Sequence, residues 1–383
     1  MNIFAMADLH LGKPFGRFQP EKNRTLIRRA RLNVLQKLPE WIRREEVDLV
    51  LIAGDVFDSP RPDADTMTQS LQLLGQAGVP VLLIPGNHDA AEAGSVWYSS
   101  DFQRLCPDNL IVALEAKPIE VAGAVVLPCP LRRRHEREDL LGWLQDQSLW
   151  SSLPPECPRI VLAHGTVVNF HADDDGAEHG INHLDLDRLP EAELDAVVLG
   201  DWHRQQQVTP KAWYTGTPEM TGFAANNAQV LGQGLLCRVE RGKQPQFTPV
   251  PTGTHRWEKV EVALREEVGF ASLEEKLADY GMNDVIGLKL TGTLGLEDRS
   301  RLDQLLVDLN NRLLRCEVED QILLEPGEGE LEKLSESGHP LVAATAMALR
   351  ETQLAGGSES EVAARALRLL YCTCSQLQNK ALV

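Results

Sequence analysis

Short β-prone apolar runs recur along residues 1–255, separated by amphipathic stretches, and most of them end in a knot of Asp, His, Asn and Gly. The runs are Asn2 to Ala7, Asp48 to Ala53, Val79 to Ile84, Ala124 to Leu127, Arg159 to Ala163 and Ala196 to Leu199. The knots read MADLH, AGDVFD, PGNHD, AHG and LGDWH. Such alternation predicts strands and helices packed in layers. In open α/β sheets the loops at the carboxyl ends of strands converge side chains on one point, so five such knots predict one site.

Between Arg256 and about Glu330 the pattern changes to strand (Trp257 to Leu264), helix (Ser272 to Tyr280), strand (Val285 to Gly292), helix (Glu297 to Arg312) and strand (Glu317 to Leu324). This is a small α+β unit, and the turn-rich PTGTHRW before it reads as a linker. Beyond Gly327 the chain becomes rich in Glu, Ala and Leu, with helical periodicity over Pro340 to Leu354 and Glu359 to Gln378. The intervening AGGSES stops one helix and caps the next, so a helical hairpin is expected. The expected domains are therefore 1–255, 256–330 and 331–383.

Composition narrows the class. Of 383 residues, 43% are hydrophobic and 25% charged, which excludes a disordered or fibrous chain. A net charge of −18 argues against nucleic-acid binding through overall positive charge, though not against a local basic surface. The opening MNIFAMADLHLGK has no signal-peptide pattern and no window is apolar enough to span a membrane, so a soluble cytoplasmic protein is expected. Seven cysteines without zinc-type spacing suit free thiols in a reducing compartment, and Cys372 with Cys374 reads as packing.

The ligand-capable residues in the knots are Asp8, His10, Asp55, Asn87, His88, His164, Asp201 and His203. Oxygen and imidazole donors without a thiolate suit Mn²⁺, Mg²⁺, Fe²⁺ or Zn²⁺. Each motif alone is weak, because a single Asp after a strand is commonly a turn or cap residue. In this order, and at strand ends, they reinforce one another.

The set resembles the calcineurin-like metallophosphoesterases, whose signature runs DxH, GDxxD, GNH[DE], a later His-Gly and a terminal GHxH. Here these read Asp8-Leu9-His10, Gly54-Asp55-Val56-Phe57-Asp58, Gly86-Asn87-His88-Asp89, His164-Gly165 and Gly200-Asp201-Trp202-His203. The resemblance implies an α/β fold: a layered β-sandwich core flanked by helices, then the α+β unit as a capping domain and the helical segment. It implies two divalent metal ions, Mn²⁺ foremost. Asp8, His10, Asp55 and His203 would hold one, and Asp55, Asn87, His164 and Asp201 the other. It makes His88 the group that protonates or stabilises the leaving oxygen and Asp58 the carboxylate that orients it and keeps it cationic, with Asp89 supporting the loop. Asp58 beside Ser59-Pro60 also reads as a turn cap. Asp201 departs from the pattern, which has His there: as a ligand it would harden the metal preference, and otherwise it caps a turn.

Within the superfamily ADLHLGKPF, VDLVLIAGDVFDSPRP, VPVLLIPGNHD and YTGTPE are most similar to SbcD-type nucleases, the phosphoesterase subunits of DNA double-strand-break processing complexes. That implies DNA as substrate and an SMC-like coiled-coil ATPase (SbcC-type) as partner, docked on residues 331–383, with a possible homodimer through helices near residues 66–78. Residues 13–44 hold ten basic against two acidic residues, directly after the DLH knot. Lys13, Arg17, Arg24 and Arg28 are thus candidate DNA-phosphate contacts, or the solvated face of an amphipathic helix. Arg132, Arg133 and Arg134 read as surface. His171, His179 and His183 fall in a segment that either folds over the site or is plain loop. Two other functions stay open: a phosphoesterase for a small phosphomonoester or cyclic nucleotide, and a non-catalytic metal-bound scaffold.

Overall fold

The computed structural model describes residues 1–170, 181–223, 231–324, 334, 339–357 and 359–380. The chain divides into two compact units, Met1–Glu258 and Lys259–Val383.

The first unit is built on strands that are buried on both faces. In β1 (Asn2–Met6) Ile3 and Ala5 face one apolar cluster and Phe4 and Met6 another. In β2 (Leu49–Ala53) Leu49, Leu51 and Ala53 take the first side, Val50 and Ile52 the second. Both faces must therefore be apolar, and the alternation expected of a half-exposed strand is replaced by an unbroken apolar run. The strands β3 (Val81–Ile84), β4 (Leu110–Val112), β5 (Ile119–Val121), β6 (Ala124–Cys129), β7 (Arg159–His164), β8 (Thr166–Val167), β9 (His183–Leu184), β10 (Ala196–Gly200), β11 (Gln206–Thr209), β12 (Ala212–Tyr214), β13 (Gln233–Arg238) and β14 (Gln246–Pro251) complete the set. Two six-stranded sheets result, in the orders β14-β13-β1-β2-β3-β4 and β11-β12-β10-β7-β6-β5, and β8 and β9 pair as a separate two-stranded sheet. The strands β1, β2, β3 and β4 run parallel to one another, as do β6, β7, β10 and β12. The cluster holding Ile3, Leu51, Val126, Ile160 and Val198 fills the space between the sheets.

Helix α1 (Glu21–Arg44) covers the outer face of the first sheet with Ile27, Ala30, Val34, Leu35, Leu38, Trp41 and Ile42, a spacing of three and four that lines one face. Each of the valine, leucine and isoleucine side chains removed from water stabilises the fold by roughly 1.5–3 kcal/mol. Arg31 sits on that same buried face, at 2% exposure. In α2 (Ala64–Gly75), capped by Asp63, the buried Met67, Leu71 and Leu74 pack into this unit's own core, so its apolar periodicity is that of a core helix. The short helices α3 (Ser100–Leu105) and α4 (Gln147–Ser152) complete the layers.

The two sheets come into close contact at the carboxyl ends of β2, β7 and β10. His164 Nδ1 of the second sheet donates to the Ala53 carbonyl of the first at 2.8 Å. A Cβ on Gly54, whose φ is +91°, would stand 2.3 Å from His164 Nδ1, and one on Gly200 would stand 2.0 Å from the Ala53 carbonyl oxygen. Gly54→Ala therefore combines a steric clash with a left-handed backbone, and it is expected to cost about 2 kcal/mol or more. A drop in Tm of several degrees by calorimetry would register it, and an unchanged Tm would refute the close approach.

The PTGTHRW segment differs from the expected linker. Thr252 and His255 are buried, Thr252 Oγ1 donates to the Pro218 carbonyl at 2.7 Å, and the buried Glu219 carboxylate accepts from Thr254 N and His255 N at 2.7 and 3.1 Å. Turn-rich composition reports backbone conformation, whereas this anchoring comes from a carboxylate distant in sequence.

The second unit carries a three-stranded sheet in the order β15 (Arg256–Arg265), β16 (Asp284–Leu294), β17 (Arg315–Leu324), β15 beginning within the first unit. The parallel pair β16–β17 is joined through α6 (Leu296–Arg312), the crossover that parallel neighbours require. Helix α5 (Glu266–Leu277) begins six residues before the expected start, with Phe270 buried at 0% exposure among Leu273, Leu277 and Leu288. Helices α7 (Pro340–Ala355) and α8 (Ser360–Lys380) pair about Ala346 and Leu367. Gly356 and Gly357, at φ +69° and +90°, end α7 as AGGSES suggested. Cys374 packs in that pair. Among the described residues no helix is long and apolar enough to cross a membrane.

Candidate metal centre

Every sequence-predicted donor comes from a strand end. The DLH loop after β1 and the GDVFD loop after β2 are zipped together: Asp8 N donates to Gly54 O at 3.1 Å, His10 N to Asp55 O at 3.0 Å, Leu11 N to Val56 O at 2.9 Å and Asp58 N to Leu11 O at 3.0 Å. Asp8, His10, Asp55 and Asp201 have φ of 54°, 44°, 52° and 100°, a left-handed region that costs non-glycine residues about 1 kcal/mol or more each. The zipper holds the first three of these strained residues in place. Asp201 N donates to the Asp8 carboxylate at 3.3 Å, tying the LGDWH loop to the DLH loop.

The donors converge. Ligand atoms of Asp8, His10 and His203 lie within 4.8 Å of one another, as do those of His10, Asp55 and His88, and those of Asp8, Asp55 and His164. Asp55 bridges two sides, with Oδ2 3.7 Å from His10 Nε2 and Oδ1 3.7 Å from His164 Nε2. His164 Nε2 also stands 3.2 Å from Asn87 Oδ1 and 3.7 Å from Asp201 Oδ1. The other Asp201 oxygen accepts from Thr166 Oγ1 at 3.0 Å. Beside these residues opens a cavity of about 390 Å³, bordered by Asn87, Asp201 and His203 and by Arg134, Arg204 and Phe223.

Residues 1–205 match the profile of the family described as calcineurin-like phosphoesterase, which is more than half of the chain. The chain belongs to that family. The DNA double-strand break repair protein Mre11 of Methanosarcina acetivorans is 26% identical to this phosphoesterase over 252 residues, 61% of this chain and 38% of the relative. This phosphoesterase thus matches well under two thirds of that curated relative's length. Two solved structures cover 66% of it and 98% of their own chains, at TM-scores of 0.41 and 0.39 and identities of 13% and 12%; the second is TT1561 of Thermus thermophilus.

The electrostatics of the site fit divalent cations. Burial pushes Asp8 up to about 7 and Asp55 well above the carboxylate range. Burial alone would lower His164, yet Asp55, Asp8 and Asp201 around it raise it to about 9. Burial, with Arg31 and Lys13 nearby, drives His203 down to about 3, and burial lowers His10 as well. Buried carboxylates facing the neutral imidazoles of His10 and His203, with His164 exchanging its proton for the cation, are a donor set that suits divalent cations, because the cation offsets the charge that burial penalises. The Nε2 atoms of His10 and His203 lie 3.1 Å apart. Two imidazole nitrogens this close share either a proton or a cation. The outer nitrogens are engaged as those of ligating histidines are: His10 Nδ1 faces the Asp58 carboxylate at 3.2 Å, His164 Nδ1 donates to Ala53 O, and Thr221 Oγ1 is 3.0 Å from His203 Nδ1.

Two side chains sit differently from expectation. His88 Nδ1 donates to the Asp58 backbone carbonyl at 3.1 Å, while the Asp58 carboxylate is 3.8 Å from it. That carboxylate serves His10 and Lys13 Nζ, at 3.2 and 3.0 Å, and these hold Asp58 down at about 2 although burial opposes it. His88 is lowered by burial, opposed by Asp58 and reinforced by Lys13 and Arg134. Arg134 is exposed, as expected, and it also borders the cavity, with its backbone N donating to Glu92 Oε1 at 3.0 Å and its carbonyl accepting from Asn182 Nδ2 at 3.0 Å. Asp89 supports the loop as expected, its buried carboxylate accepting from Gly86 N at 2.7 Å and Phe57 N at 3.0 Å.

Of the basic candidates, Lys13 is paired with Asp58 and Arg24 with Glu21, while Arg17 and Arg28 are exposed. His183 lies in β9, and His171 and His179 lie outside the described residues.

Sequence reasoning placed Arg31 in the basic run after the DLH knot and missed that it is buried. Its guanidinium donates to Leu9 O at 2.5 Å, Asp8 O at 3.1 Å, Glu219 O at 2.8 Å and Met220 O at 3.3 Å, joining the DLH loop to the YTGTPEM segment. Burial brings it down to about 10, against the pull of Glu219, Asp58 and Asp8. A charged residue at an apolar-face position of α1 was the available signal. Lysine keeps the charge but cannot reach so many acceptors, so Arg31→Lys is expected to destabilise the fold by about 2 kcal/mol. Urea unfolding would measure this, and a midpoint equal to the wild type's would contradict the hub.

Proposed function

We propose that this phosphoesterase is a two-metal-dependent DNA phosphodiesterase, the nuclease subunit of a cytoplasmic DNA-repair complex with an SMC-like coiled-coil ATPase. The observation that carries the phosphodiesterase reading is the convergence of donors from five strand ends around the shared Asp55 carboxylate. DNA as substrate is supported by the likeness to the Mre11 repair protein over 252 residues. The exposed Leu341, Leu354 and Val362 on α7 and α8 support a docking role for the helical pair.

In this reading Asp8, His10, Asp55 and His203 hold one cation, and Asp55, Asn87, His164 and Asp201 the other, with Mn²⁺ favoured over Mg²⁺, Fe²⁺ or Zn²⁺. When bound, the pair supplies Lewis acidity toward the phosphoryl oxygens and acidifies water for in-line attack. The chain's own groups do the rest. His88, its backbone N donating to Asp55 Oδ1 at 2.8 Å and its Nδ1 fixed on the Asp58 carbonyl, presents Nε2 to the leaving sugar oxygen and gives up a proton there from its imidazolium form, which burial disfavours and Asp58 supports. Asp58 is a positioning residue: it orients His88 through its carbonyl and His10 through its carboxylate. Exposed Arg17 and Arg28, with Lys13 and Arg24, track the DNA backbone.

The test is hydrolysis of linear DNA and of a small phosphodiester, bis(p-nitrophenyl) phosphate, by the purified chain with Mn²⁺. Cleavage of both, abolished by chelation, is expected. A cavity of about 390 Å³ also has room for a mononucleotide, which favours the small-ester reading next. Hydrolysis of the small ester with intact DNA would establish that reading, and hydrolysis of neither would leave the scaffold.

A further inference from the structure

Asp201 changes the charge at this centre. Three carboxylates, Asp8, Asp55 and Asp201, face the space of two divalent cations and leave one net positive charge; an imidazole in place of Asp201 would leave two. A phosphodiester is an anion, and its transition state carries that charge on the nonbridging oxygens while a second anionic oxygen attacks. A centre with a third carboxylate therefore needs positive charge from elsewhere to hold the phosphoryl group as firmly.

The cavity beside Asp201 contains it. Arg134 and Arg204 both border the cavity together with Asn87, Asp201 and His203. Arg134 starts from a fixed point, since Glu92 and Asn182 hold its backbone and Glu136 N in turn donates to Asn182 Oδ1 at 2.8 Å. Guanidinium is suited to the task, being always charged and able to give two parallel hydrogen bonds to phosphate oxygens. Phe223 and Met220 border the same cavity and offer apolar surface to a base or sugar.

We propose that Arg134 and Arg204 bind the phosphoryl group of a nucleotide substrate and restore the positive charge that Asp201 removes from the centre. This rests on the two-cation reading above. The probe is thymidine 5′-monophosphate, titrated calorimetrically into the Mn²⁺-loaded wild type, Arg134→Gln, Arg204→Gln, Asp201→His and Asp201→His combined with Arg134→Gln, with metal content and Tm measured on each. Each Gln variant is expected to keep its metal and Tm and to bind the nucleotide about tenfold or more weaker. In the Asp201→His background the loss on Arg134→Gln should be smaller, because the centre itself is then more positive. Wild-type affinity in both Gln variants, an undiminished loss beside Asp201→His, or no nucleotide binding by the metal-loaded wild type would overturn the proposal. A wild type that takes up no metal would instead remove the two-cation reading beneath it.

Discussion

Replacing His88 by alanine is expected to lower DNA hydrolysis by about 10²- to 10⁴-fold while leaving the metal content unchanged. His88 is the one imidazole in the cluster whose ring is partly exposed and whose Nδ1 is committed to a backbone carbonyl. Its main-chain N, which donates to Asp55 Oδ1, survives the substitution, so the bridging carboxylate keeps its orientation. The loss should therefore fall on kcat, with KM for the small phosphodiester little changed, since proton delivery to the leaving oxygen belongs to the transition state. A good leaving group needs that proton less, so bis(p-nitrophenyl) phosphate should lose less rate than DNA. Steady-state kinetics on both substrates, with metal measured by mass spectrometry, checks this. Equal losses on the two, or a fall in bound metal, would contradict His88 as the acid.

Asp55→Asn should abolish metal binding as well as hydrolysis. The Asp55 carboxylate turns one oxygen toward His10 and the other toward His164, and an amide cannot offer two anionic oxygens. Burial already makes its ionised form unfavourable in the metal-free chain, so the variant should be at least as stable as the metal-free wild type. What it should lose is the stabilisation by ligand: about 2.7 kcal/mol for the wild type at a hundredfold excess over Kd, and none for the variant. Melting curves with and without Mn²⁺ separate the two effects. A variant whose Tm still rises with Mn²⁺ as the wild type's does would show that Asp55 is not the shared ligand.

Taken together, the two variants distinguish a group that works on the substrate from a group that assembles the centre. The strained backbone at Asp8, His10, Asp55 and Asp201 is consistent with that assembly, because left-handed residues are kept only where surrounding hydrogen bonds over-determine them. Arg31 and Glu219 contribute from below, through carbonyls and amides and with no evident role toward the substrate.

Much of the fold was legible in the chain because its sheets are buried on both sides. A strand such as Leu49–Ala53 must then be apolar throughout, and its end is marked by the abrupt arrival of Gly54 and Asp55. The donors were legible for the same reason, being the polar residues that interrupt those runs. Less visible was Phe270 in the core of α5, since EEVGFA carries little periodicity and the helix is held by packing. The anchoring of PTGTHRW and the part played by Arg134 depend on Glu219 and Asn182, which are neighbours in space alone.

The sequence by itself determined which residues stand at strand ends, the helical face of α1, the stop at Gly356 and the kind of donors available, because these follow from local period and residue type. Only the tertiary structure decided that the Asp58 carboxylate turns to His10 and Lys13, that Thr166 takes one oxygen of Asp201, that Arg31 binds two loops at once, and that Arg134 borders the cavity. Each of these joins residues from different strands and loops. Pairings of that kind are set by how the two sheets pack against each other, a quantity that no local pattern contains.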